Sequence, residues 1–176
     1  MRKLIIMAMA SAALALPQAA AADPLTDPQL APLIAAAFAE AREECAERGG
    51  MLEMPERLRH EAADLTGNGA PDLIFSEEGA FCAPDLGFIG SGSAGARIHA
   101  IIGDHVQSLL PGNWIVTDLQ FSIEGEALPP VRVLILGVHG GFCDGFGASP
   151  CFVTYGWDGT RLQSVLDGPA PRAVAP

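Results

Sequence analysis

Four cysteines, Cys45, Cys82, Cys143 and Cys151, follow a 22-residue stretch that reads as an export signal. Together they constrain the fold more than any other feature. An even cysteine count in a chain sent to an oxidising compartment implies two disulfides. The signal begins with Met1-Arg2-Lys3 and continues as an apolar run, Leu4 to Leu16, interrupted only by Ser11. Pro17 breaks that run, and Ala20-Ala21-Ala22 supplies the small residues of a cleavage site. The apolar run is too short to cross a bilayer, which needs about 20 residues, so no stable membrane insertion is expected after cleavage. The expected division is a signal peptide over 1–22, one domain over 23–167 and a flexible, Pro- and Ala-rich tail over 168–176. The protein is then periplasmic or secreted.

Three connectivities are open to four cysteines. Cys143 and Cys151 bracket Phe-Cys-Asp-Gly-Phe-Gly-Ala-Ser-Pro-Cys, whose Gly and Pro content lets the chain turn back, so they are paired here. Cys45–Cys82 follows, tying a helix to the loop after a strand. In the chain-entropy account the short and long loops contribute about 2.6 and about 3.9 kcal/mol. No Cys-x-x-Cys is present, so structural bridges are favoured over redox or metal chemistry.

Charge removes one class of partner. The chain has 10 basic and 21 acidic residues. Loss of Arg2 and Lys3 with the signal leaves eight arginines against those acids, a net of −13. Nucleic acid is excluded as a main partner, because phosphate binding needs clustered Arg and Lys.

From Gln29 to Arg48, apolar residues recur at Leu30, Leu33, Ile34, Ala37, Phe38, Ala41 and Cys45, the stripe of an amphipathic helix. Thr26 or Asp27 can cap its start, and Gly49-Gly50 ends it. The rest reads as strands: Arg57–Ala63, Leu73–Ser76, Ala96–Ile102, Val106–Leu110, Trp114–Ile123, Val131–Val138, Cys151–Gly156 and Arg161–Val165. Gly103-Asp104 and Trp157-Asp158-Gly159-Thr160 are hairpin signals. Val131–Val138 is nearly continuously apolar, as in a central strand buried on both faces. The expected class is α+β: an N-terminal amphipathic helix packed on a mainly antiparallel sheet, stapled by disulfides.

One segment has the spacing of a metal site. Asp64-Leu65-Thr66-Gly67-Asn68-Gly69-Ala70-Pro71-Asp72 places oxygen side chains at loop positions 1, 3, 5 and 9, with Gly69 at 6. Ca²⁺ wants six to eight oxygens, and a tight loop supplies them from alternate residues. The candidate ligands are Asp64, Thr66, Asn68, the Ala70 carbonyl and Asp72. Position 12 is Phe75 where an EF-hand needs a bidentate acid, so a helix–loop–helix EF-hand is excluded. The same residues can instead close the turn on themselves through Asx-type hydrogen bonds, with no ion.

This loop resembles the DxDxDGxxD loops of FG-GAP-type repeats in integrin-α-like propeller blades. The chain as a whole resembles small bacterial exported proteins that combine a Cys-containing N-terminal helix, one such loop, a Cys-rich turn and a terminal W-D-G hairpin. The parallels are Cys45, residues 64–74, residues 139–151 and Tyr155-Gly156-Trp157-Asp158-Gly159. The resemblance implies calcium at 64–72. Thr66 and Asn68 stand where the pattern has Asp, which implies a weak site with a Kd of about 10⁻⁴–10⁻³ M.

No catalytic constellation stands out. His99, His105 and His139 could form a three-imidazole zinc site, but neither H-x-x-x-H nor H-E-x-x-H spacing supports it. Ser91 in Gly90-Ser91-Gly92-Ser93 lacks the strand–helix setting of a nucleophile elbow. Glu77-Glu78 and Glu124/Glu126 read as solvated acidic strand ends. The expected function is therefore a non-catalytic interaction module, exported and calcium-binding, acting on an unknown exported protein. The first alternative is an inhibitor or adaptor of an exported enzyme working through loop 142–152, which carries Phe142, Asp144 and Phe146. The second is a small metal-dependent hydrolase using the histidines.

Overall fold

The computed structural model describes residues 23–84, 87–89, 94–120, 122–123, 126–127, 129–147, 149 and 151–169. Ser91 and Glu124 lie outside them. Two helices, α1 (Leu30–Ala37) and α2 (Ala39–Glu47), open the domain. The single helix expected over 29–48 is broken at Phe38, which has φ −82° and ψ 5°. At that break the Arg42 guanidinium donates to the Ala35 carbonyl at 2.6 Å, a side chain entering the helical ladder. Asp27, rather than Thr26, serves the start: its carboxylate accepts the Gln29 and Leu30 N–H groups. Gly49, at φ +82°, ends α2 in the left-handed conformation open to glycine.

Among the described residues thirteen strands follow in chain order. The first five are β1 (Met51–Glu53), β2 (His60–Ala63), β3 (Asp72–Ser76), β4 (Phe81–Ala83) and β5 (Gly87–Phe88). The middle group is β6 (Arg97–Ile102), β7 (His105–Pro111), β8 (Asn113–Leu119), β9 (Ser122–Ile123) and β10 (Glu126–Ala127). The last are β11 (Val131–Val138), β12 (Cys151–Trp157) and β13 (Leu162–Pro169). Two four-stranded sheets dominate, ordered β2-β3-β6-β7 and β13-β12-β11-β8, with smaller β1-β4-β5 and β10-β9 sheets. The strand pairings within these sheets are antiparallel. Among the described residues no helix is long and apolar enough to cross a membrane.

Strand alternation sorts the core. Ile74, Ile98, Ala100 and Leu109 of the first large sheet share a buried cluster with Leu134, Leu136, Val138, Val153 and Leu162 of the second. Residues of opposite parity, Leu73, Phe75 and Ile101, join Ile34, Ala37, Phe38 and Leu58 in another. The central strands β3 and β6 of the first sheet are therefore buried on both faces, and each fully buried large side chain contributes about 1.5–3 kcal/mol. Gln107 clips the two large sheets together: its amide donates to the Leu162 carbonyl at 2.7 Å and accepts the Leu162 N–H at 2.8 Å.

Several boundaries move. The strand expected from Arg57 begins at His60, and Trp114–Ile123 divides into β8 and a separate β9. β11 is internal in its sheet, and Val133 is buried, but Val131 and Ile135 on the same side are exposed and half-buried. Its apolar run thus covers a core on one face and a partly open surface on the other. β13 continues to Pro169, pairing it with Cys151, so a tail starting at 168 would cut into a strand. Both hairpins form: Ile102 pairs with His105 around Gly103-Asp104, and Trp157 with Leu162. In the second, the Asp158 carboxylate accepts the N–H groups of Arg161 and Thr160, which pull its pKa down to about 2.

Candidate functional site

The cysteines pair as Cys45–Cys82 and Cys143–Cys151, with Cα separations of 5.7 and 6.2 Å. The first bridge joins α2 to β4. The second closes the loop between β11 and β12, and that loop is tightly built. A 3₁₀ turn, Gly140–Cys143, starts it, capped by His139, whose Nδ1 accepts the Gly141 N–H at 3.2 Å. Gly145 N–H donates to the Gly140 carbonyl at 2.9 Å and Ser149 N–H to the Phe146 carbonyl at 2.8 Å. A Cβ on Gly140 would lie 2.1 Å from the Phe146 carbonyl oxygen, so the chain closes over a glycine no larger residue could replace. His139 lies as close beneath Gly147, which makes its ring a post inside the loop.

On this platform Phe146 is 88% exposed and Phe142 46%. Phe142 and Phe152 flank the two half-cystines, and the Phe152 ring covers Gly137 on the outer face of the second large sheet. That face continues through Ile135, Ile115 and Val165, with Thr117 and Thr154 between them. None of these side chains is charged. An uncharged apolar face thus adjoins the exposed aromatics of the loop on a chain this acidic.

The 64–72 loop ties itself shut. Asp64 Oδ1 accepts from Gly67 N–H at 2.7 Å, Asn68 N–H at 3.2 Å and the Thr66 hydroxyl at 3.3 Å; Oδ2 accepts from Gly69 N–H at 2.9 Å. These donors, Gly69 foremost, hold the Asp64 carboxyl below the usual range. Asn68 Oδ1 accepts the Ala70 N–H at 2.7 Å. Asp72, at the other end, is buried and accepts the Leu65 N–H at 2.9 Å. Burial pushes its carboxyl up, and the nearby Asp64 charge pushes it further. Asp64 and Asp72 thus both accept backbone N–H groups in a self-closed turn. Phe75, at loop position 12, is fully buried in β3.

The histidines are not brought together. His60 Nδ1 lies 2.9 Å from the Leu58 carbonyl oxygen; His105 is exposed at the start of β7; His139 is the loop post. His99 is fully buried, with Ser108 Oγ 3.1 Å from Nδ1 and Glu77 Oε1 3.0 Å from Nε2. Both nitrogens are occupied, so this imidazole is not presented to a metal. Among the described residues no group of three or more His, Cys, Asp or Glu is arranged to hold one. Glu77, expected at a solvated strand end, is instead buried; Glu78 is exposed and pairs with Arg59 at 3.0 Å. The Glu77–His99–Ser108 chain was missed by sequence reasoning because its members sit just after β3, on β6 and on β7, with no motif spacing. Only the register, which sets His99 opposite Ser108, brings them together. Comparison with protein families, curated proteins and solved structures gives no match.

Proposed function

We propose that the protein is an exported interaction module that docks on another exported protein through the bridged loop 142–152 and the adjoining apolar sheet face. The observation that carries this reading is Phe146, 88% exposed on a loop held by a disulfide, internal hydrogen bonds and two glycine closures. A pre-organised aromatic anchor loses little ordering entropy on binding, and aromatics of this kind dominate interface energetics. The leader and the two bridges support a periplasmic location. The test is a pull-down from periplasmic extract with the mature protein. Phe146→Ala is expected to weaken capture of the specific partner by about 30-fold or more, as a hot-spot loss of about 2 kcal/mol implies. Its melting temperature should stay at the wild-type value, because an exposed side chain supports little of the fold. Capture of the same partner by Phe146→Ala at equal affinity removes the loop from the interface.

A second reading is favoured by Asp72, whose buried carboxylate faces the Asp64 charge. A divalent cation between them would relieve that repulsion, with Asp64, Thr66, Asn68, the Ala70 carbonyl and Asp72 as its ligands. At 10 mM Ca²⁺ and a Kd of about 10⁻³ M, stability should rise by about 1.4 kcal/mol, a shift of a few degrees in melting temperature. Asp64→Ala should abolish the increment and Asp144→Ala should preserve it. A melting temperature unmoved by both Ca²⁺ and chelator means that the loop is a plain turn.

A further inference from the structure

We propose that Ser108 is an acylation site, its hydroxyl activated by His99 with Glu77 as the residue that positions the imidazole. This activity lies beyond the docking reading and is independent of it. Ser108 Oγ is 3.1 Å from His99 Nδ1, and His99 Nε2 is 3.0 Å from Glu77 Oε1. The imidazole is fully buried and Glu77 is 3% exposed, while Ser108 is open to solvent on β7, an edge strand of its sheet. Phe75, with ring centroids 5.2 Å away, and Phe38, at 6.2 Å, hold the plane of the imidazole. A carboxylate accepting from Nε2–H leaves the Nδ1 lone pair facing the serine hydroxyl. Nucleophile, base and orienting acid are thereby in hydrogen-bond contact, which is the logic of acyl transfer.

In the step, Ser108 Oγ bonds to the acyl carbon and the bond from that carbon to the leaving group breaks. The leaving group takes the bonding pair and departs as an anion, and the Oγ proton moves to His99 Nδ1. Glu77 stabilises the imidazolium so formed.

Burial narrows the substrate class. His99 is fully buried behind Ser108, so it cannot protonate a poor leaving group. Once Oγ is acylated, it cannot activate water for deacylation either. The donors are therefore activated esters and related acyl or phosphonyl compounds with stable leaving anions, and the acyl-serine accumulates in a single turnover.

The mature protein is treated with p-nitrophenyl acetate and, separately, with an alkyl fluorophosphonate, then analysed by intact mass and peptide mapping. The expected result is one adduct per chain at Ser108 and a stoichiometric burst of p-nitrophenolate without steady turnover. Ser108→Ala should abolish both without loss of folding. His99→Gln should slow labelling by about 10²-fold, the size of a general-base contribution. If that variant does not fold, Ser108→Cys replaces it: a thiol beside the imidazole should alkylate faster than free cysteine. Glu77→Gln should alter the pH profile of labelling, which a merely structural carboxylate would leave in place. Adduct spread over other nucleophiles, equal labelling of Ser108→Ala, or an ordinary thiol rate in Ser108→Cys overturns the proposal.

Discussion

Replacing Glu77 with Ala is expected to destabilise the protein by about 3–5 kcal/mol, read as a lower urea midpoint at neutral pH. The carboxylate is 3% exposed and its partner His99 is fully buried, with two aromatic rings against it. Removing the carboxylate leaves the buried imidazole without its hydrogen-bond partner, and the truncation adds a cavity. Ser108 still reaches Nδ1, but the fully buried Nε2 loses its partner. The pair itself need not be a net stabiliser, because desolvating a carboxylate and an imidazole offsets most of what their hydrogen bond returns. The double substitution Glu77→Met with His99→Leu should therefore recover most of what the single change loses. A single-variant loss under about 1 kcal/mol, or a double variant no better than the single, would mean that water reaches the pair.

The parts of this fold legible in the sequence are those whose cause is local. Gly103-Asp104 specifies its hairpin because two residues with turn chemistry stand between β-branched runs. The Cys143–Cys151 bridge follows from a short Gly-rich span that has to double back. The 64–72 loop reads as a turn because Asp64 can reach the amides of the three residues Gly67 to Gly69, whatever surrounds it. What was not legible depends on distant partners. β1, β4 and β5 are two or three residues long and exist only through one another's hydrogen bonds. The break at Phe38 leaves the apolar periodicity untouched, so no pattern could report it. The same holds for Glu77, His99 and Ser108: separations of 22 and 9 residues match no helix or strand period. Val131–Val138 misled for a related reason. Its apolar run looked like burial on both faces, whereas its outer side adjoins the open surface proposed here for docking.

Gly112→Ala should be among the most damaging of the conservative single changes, costing at least about 3 kcal/mol, at the upper end of overpacking. Gly112 is the one residue between β7 and β8, and those strands belong to different sheets. It is therefore the corner at which the chain leaves one large sheet for the other. Its N–H donates to the Ala96 carbonyl at 3.0 Å, anchoring the corner to the first sheet. A Cβ there would lie 2.3 Å from the Gly137 carbonyl oxygen and 3.1 Å from its carbon. Neither atom can give way, because Gly137 is on β11, paired on one side with Asn113 and on the other with Phe152. The corner's φ of +156° adds strain for any side chain. Gly137→Ala is the internal control across the same contact. Its Cβ would meet only the Phe152 ring at 3.5 Å and more distant atoms, so stability should change by less than about 1 kcal/mol, the size of the glycine-to-alanine backbone term. Urea unfolding of the two variants measures the difference. If Gly112→Ala is as stable as Gly137→Ala, the two sheets are free to slide at this corner, and the close approach does not fix their packing.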